Sequence, residues 1–199
     1  MNDAQLQELL YQALETEIGG QAVYRTAIEC AVNEELREEW TKYLEETTRH
    51  EEIVRNLFSE LGLDPERETP GRMVVRHIGE SLVAAMEMAL SSGTPEAAEL
   101  VAGECVVHAE TKDHLNWELM EFCAEQADQK TAAALKAATE AVEDEEDEHL
   151  YHTKGWTREL WLQSLGLPAA VPPPEEEKHV VTAIGAERAA NARDEYVNT

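Results

Sequence analysis

Four stretches of this sequence each set an acidic side chain in the middle of an apolar stripe, and three of the four add a histidine close by. At steps of three and four residues, Leu10, Ala13, Glu17, Gly20, Tyr24, Ala27 and Ala31 line one helical face, which puts Glu17 among core side chains. Tyr43, Glu46, His50, Ile53 and Leu57 form a second face, much of it shared by Thr47, and Val106, Glu110, His114, Trp117 and Ala124 form a third. On the fourth, Leu135, Val142, His149 and Trp156 recur at seven-residue steps, with Glu145 and Glu146 one turn before the histidine. A carboxylate inside a core is costly unless it is paired or binds a metal. Together the faces deliver four carboxylates, Glu17, Glu46, Glu110 and Glu146, and two imidazoles, His50 and His149. That set suits two metal ions bridged by carboxylates, and one histidine per ion leaves positions open to a small oxidant, dioxygen or peroxide. Mixed oxygen and nitrogen ligation fits iron or manganese better than calcium or structural zinc. Tyr24, Glu104, His114, Glu145 and His152 are candidates for supporting or alternative ligands.

Composition alone accounts for part of this pattern. With 35 glutamates in 199 residues and seven histidines, a glutamate three residues before a histidine is expected about once, and it occurs twice, before His149 and His179. A glutamate four residues before occurs for six of the seven histidines, but such pairs also stabilise exposed helices by a few tenths of a kcal/mol with no metal present. Placement is more informative than frequency, because one inward pair falls near the middle of each of two long helical stretches. An internal repeat adds to it. Laying Glu17 on Glu110 brings Tyr24 onto Trp117 and Cys30 onto Cys123, and laying His50 on His149 brings Glu46 onto Glu145.

The elements that must position these residues are helices. The stretches between glycine and proline clusters are rich in Ala, Leu and Glu with apolar residues at helical spacing. A first helix is expected from about Asp3 to Val32 and a second, capped by Asn33, to Leu61, ending at Gly62 with Pro65 beyond. Residues 62–94 form a long crossover with an amphipathic helix of its own from about Arg72 to Leu90. Thr94 and Pro95 open a third long helix to about Gln126, and a fourth is expected to run unbroken from about Gln129 to Leu165, ending at Gly166 and Pro168. Two antiparallel hairpins joined by one long crossover is the connectivity of a ferritin-like four-helix bundle, assigned to residues 1–167. Residues 168–199, with Pro168, Pro172, Pro173, Pro174 and Glu175, Glu176, Glu177, read as a polar linker and tail.

The charge balance removes other functions. Against 42 acidic side chains stand 16 basic ones, a formal net charge of −26, with no concentrated basic patch, so nucleic acid and anionic membrane surfaces are not expected partners. No apolar run reaches the length of a bilayer span, and the N-terminus lacks the regions of a signal peptide, so a cytoplasmic protein is expected. Cys30, Cys105 and Cys123 are an odd number with no paired spacing and suit reduced core positions. Met73, Val74, Met86 and Met88 on the crossover and Trp161 and Leu162 near the end of the fourth helix are available to pack within one chain or to join two copies, and a homodimer is the expected assembly.

At these residues the sequence resembles the ferritin-like superfamily of diiron and dimanganese carboxylate proteins, which includes rubrerythrins, manganese catalases, bacterioferritins and YciF-like stress-response proteins. The resemblance covers about residues 3–165. It implies a glutamate with an aromatic seven residues on from the first and third helices, matched by Glu17 with Tyr24 and Glu110 with Trp117, and E-x-x-H from the second and fourth. Glu146 and His149 match. The second helix departs, since Thr47 stands where the glutamate belongs, and either Glu46 substitutes from the neighbouring position or the site is incomplete. Tyr43 to Leu63, and His108 with Glu110, look most like the YciF-like branch. Membership would imply two iron or manganese ions and oxidoreductase chemistry on dioxygen, peroxide or ferrous iron in a stress response. The absence of four suitably spaced cysteines argues against an attached rubredoxin domain. The alternative is a metal-poor bundle of the same fold, acting as a structural or interaction protein without catalysis.

Overall fold

A computed structural model describes residues 1–168 of the chain, and these are all helical: α1 (Asp3–Cys30), α2 (Glu34–Leu61), α3 (Pro70–Ser92), α4 (Pro95–Gln126), α5 (Gln129–Thr139) and α6 (Glu143–Ser164). The expected linker and tail lie outside the described residues from 169 onward. None of the helices is long and apolar enough to cross a membrane.

Local chemistry sets the helix ends. Asn33 accepts from the backbone N–H of Glu35 and Leu36, Thr69 from Arg72 and Thr94 from Ala97, with Pro70 and Pro95 following at first helical positions. Gly62 ends α2 at φ 69, a left-handed conformation that a residue without Cβ adopts at little cost.

Side-chain pairings give the directions of the helices. Gln21 pairs with Glu51 and Tyr11 with the Asp64 carbonyl, so α1 and α2 run antiparallel. Asn116 donates to Thr16, and the N–H of Asn33 donates to Glu99, so α1 and α4 run antiparallel too. His114 meets Asp147 while Trp161 meets Glu104, which makes α4 and α6 antiparallel. Trp40 with Thr153 and His50 with Glu145 do the same for α2 and α6. Each of these four helices thus has two antiparallel neighbours. Helix α3 returns parallel to α1, held by Glu8 on the N–H of Gly71 and by Arg72 and Arg76 on Glu15. Met86 is buried, whereas Met73, Val74, Met88 and Trp161 are exposed.

The structure corrects the expected fourth helix, which is two helices, α5 and α6, separated at residues 140–142. No glycine or proline marks the break. The N–H groups of Ala141 and Val142 reach back only three residues, to Ala138 and Thr139, and a new helix starts on the Val142 carbonyl. Electrostatics favours this. In one continuous helix, the six consecutive acids from Glu143 to Glu148 would repel one another at mid-helix. The break moves Glu143, Asp144, Glu145 and Glu146 into a first turn, where free N–H groups and the helix dipole attract negative charge.

The apolar core is split in two. Leu10, Leu14, Val54, Leu57, Phe58, Met120 and Leu135 belong to one cluster, and Tyr24, Ala27, Trp40, Tyr43, Val106 and Trp156 to the other. Between these positions along the helices come Glu17, His50, Glu110, Asp113, Glu146 and His149, each 5% exposed or less.

Candidate metal centre

Helix α6 supplies the hub. Glu146, 2% exposed, leaves the first turn of α6 and reaches between α1, α2 and α4. Its Oε1 lies 2.8 Å from His50 Nδ1 and 3.9 Å from His149 Nδ1. His50, Glu146 and His149 each present a ligand atom within 4.8 Å of the others, and so do Glu17, Asp113 and Glu146. Glu146 is shared by both triads. Glu110 stands beside them, its Oε2 3.7 Å from His149 Nδ1.

The inward atoms are poorly satisfied. Neither oxygen of Glu146 makes a hydrogen bond, and the same holds for Glu17 Oε2, Glu110 Oε2, Asp113 Oδ1 and the Nδ1 atoms of His50 and His149. His50 Nδ1 comes within 2.8 Å of Glu146 Oε1 without hydrogen-bond geometry. Buried polar groups are normally paired, and these loose atoms converge on residues that could hold a metal ion.

The outward atoms are the opposite. His149 Nε2 lies 3.0 Å from Glu46 Oε2, and His50 Nε2 lies 2.7 Å from Glu145 Oε2. Each carboxylate braces the histidine of the facing helix, turning Nδ1 inward. A second exchange links α1 and α4: Trp117 Nε1 donates to Glu17 Oε1 at 3.0 Å, while Tyr24 feels the charge of Glu110.

Burial and mutual repulsion set the protonation. Burial, then the charges of Asp113, Glu146 and Glu110, raise Glu17 well above the usual carboxylate range, and burial followed by Glu146 and Glu110 does the same to Asp113. Glu146 is pushed up to about 8 by burial and Glu110. Burial would strip His149 of its proton, but the carboxylates around it, Glu110 beside Nδ1 and Glu46 hydrogen-bonded at Nε2, override this and raise the histidine to about 10. Burial and the neighbouring His149 lower His50. Glu46 is held low despite its burial by His149, Lys42 and Arg49.

Of the expected ligands, Glu17, His50, Glu110, Glu146 and His149 are brought together. Glu46 is instead on the outer face of His149, and Thr47 is buried against Gly20, whose Cβ would lie 3.3 Å from Thr47 Cγ2. Both imidazoles, His50 and His149, fall in the same triad with Glu146. Among the supporting candidates, Glu145 braces His50 and Tyr24 is fully buried near Glu110. His114 pairs with Asp147 at 2.8 Å, His152 with Glu39 at 3.0 Å, and Glu104 accepts from Trp161 at an exposed site. Sequence reasoning missed Asp113. The available signal was its spacing, three residues after Glu110, which puts both carboxylates on one face of α4.

No protein-family model, curated protein or solved structure matches this chain.

Proposed function

We propose that the chain is a dinuclear metal protein of ferritin-like architecture, binding two iron or manganese ions and acting as an oxidoreductase on dioxygen, peroxide or ferrous iron. One observation carries the reading: Glu146, buried with neither oxygen hydrogen-bonded, is common to two ligand triads, which is the placement of a bridging carboxylate. The antiparallel pairings of α1, α2, α4 and α6, with a crossover along α1, support the architecture.

The donor set fits such ions. Glu17, Glu110, Asp113 and Glu146 would hold them with His50 and His149, four carboxylates and two imidazoles, giving an uncharged centre with two divalent cations. Bound there, iron or manganese would supply one-electron redox chemistry toward a small oxidant. The chain's own residues do the rest. Glu46 and Glu145 orient the imidazoles, while Trp117 fixes one oxygen of Glu17. The apolar clusters above and below exclude bulk water, and the aromatic rings of Tyr24 and Tyr43 pack near His149. The strongly negative surface raises the local concentration of cations.

Elemental analysis after anaerobic ferrous loading of the metal-stripped chain tests the reading. The expected content is about two ions per chain, with a new near-ultraviolet absorption on admitting air. Metal well below stoichiometric after loading overturns it.

A further inference from the structure

The two triads that meet at Glu146 offer different chemistry. One carries both imidazoles, His50 and His149, and the other consists of oxygen donors alone, Glu17 and Asp113 with Glu146. The internal repeat shows where the inequality comes from. The register that lays Glu17 on Glu110 lays Gly20 on Asp113, and the register that lays His50 on His149 lays Thr47 on Glu146. Two positions that hold carboxylates in the second hairpin are therefore uncharged in the first, where they sit against each other. The first hairpin contributes one inward carboxylate, Glu17, and the second contributes Glu110, Asp113 and Glu146.

Softness of ligand decides what such positions take. Imidazole suits borderline ions such as ferrous iron and zinc, whereas sites made only of carboxylate oxygen suit manganese and magnesium. Asp113 Oδ1, Glu17 Oε2 and both Glu146 oxygens are buried without hydrogen bonds, so the all-oxygen triad is open to a cation and not closed upon itself. We propose that the centre is built for two unlike ions, with a borderline ion at His50, Glu146 and His149 and a hard ion at Glu17, Asp113 and Glu146. Asp113 creates the second position, and Glu146 belongs to both. The inference rests on the dinuclear reading above.

The test uses the metal-stripped full-length chain, given one equivalent of zinc and then dialysed to equilibrium against excess manganese. Metal is read by elemental analysis, and bound manganese by electron paramagnetic resonance. One zinc and one manganese per chain are expected. Asp113→Asn keeps the shape of the side chain and removes a buried charge; it should retain zinc and lose manganese affinity by about tenfold or more. Glu17→Gln, the other carboxylate found only in the oxygen triad, should behave alike and guards against a folding artefact in the first variant. His50→Ala should show the reverse, losing zinc and keeping manganese. Manganese unchanged in both carboxylate variants, or zinc lost to the same extent as manganese, overturns the inequality and leaves a dinuclear centre standing. A wild-type chain that binds neither metal overturns both readings.

Discussion

Glu15 and Glu17 are two residues apart on α1, and both are buried, yet they meet opposite surroundings. Glu15 faces the crossover, where Arg72 Nε lies 2.6 Å from one oxygen and Arg76 Nε 2.7 Å from the other. Burial there would raise the carboxyl, but hydrogen bonds from Arg76 and Arg72 bring it below the ordinary value. Glu17 faces inward to Asp113, Glu146 and Glu110, with the Trp117 indole as its hydrogen-bond donor. Among the described residues, no lysine or arginine pairs with Glu17, Glu110, Asp113 or Glu146. Thus the same helix buries one acid against fixed cations and another among further carboxylates. The first arrangement fastens α3 to α1; the second gathers the residues of two triads that could hold a metal ion.

The largest expected effect separates the two regions by stability. Glu15→Gln leaves the Arg72 guanidinium, itself 5% exposed, without its carboxylate partner. Loss of about 3 kcal/mol or more in chemical unfolding is expected, with metal content unchanged. An equal loss of metal would break the comparison, because it would tie the crossover clamp to the centre.

Acid should act on the two regions in opposite directions. Glu15 is held low in the folded chain, so its contribution is present above the unfolded carboxyl range and is lost as pH falls through the folded value. Glu146 is raised from an ordinary 4.5 to about 8, so its contribution is full below 4.5 and is lost as pH rises through about 8. Glu17 and Asp113 carry the same sign as Glu146. The metal-free chain should therefore gain on the order of a few kcal/mol of stability between pH 9 and pH 5. The metal-loaded chain should lose stability over that range, because protons compete with cations for the ligands. Denaturation midpoints measured across pH with and without metal check both slopes, and parallel slopes would break the distinction.

How far the sequence reveals this contrast depends on the length scale of each signal. Helix ends were legible because Asn33, Thr94, Pro95 and Gly62 act within one turn. The break between α5 and α6 was not, because no residue there forbids a helix and the cause is a run of six like charges seeking a helix start. Inward placement of Glu17, His50, Glu110, Glu146 and His149 followed from apolar periodicity, which reports the face of a helix. The roles of Glu46 and Asp113 did not follow, since neighbouring positions on one face differ by fractions of a turn. That Glu46 meets an imidazole from behind is decided by how α2 and α6 rotate about their axes, and that Asp113 meets Glu17 and Glu146 by the rotation of α4. The clamp at Glu15 was invisible for a related reason: Arg72 and Arg76 are more than fifty residues away, and only the parallel docking of α3 brings them to it.

The bracing carboxylates give the finest test, because they sit between the basic side chains of the surface and the buried histidines. Glu46 is 8% exposed and holds the outer nitrogen of His149, and in turn is held by Lys42 and Arg49. Glu145 holds His50 in the same way, but its side chain is 30% exposed and shared with Arg49, so water can replace much of what it does. Glu46→Gln should weaken metal binding by about 10- to 100-fold, the usual consequence of removing an orienting carboxylate behind a ligating histidine, and Glu145→Gln by less. Isothermal titration with the same metal measures both. A larger effect at Glu145 would reverse the order that burial dictates and would mean that access between α2 and α6, where Glu145 is partly exposed, controls binding more than imidazole orientation does.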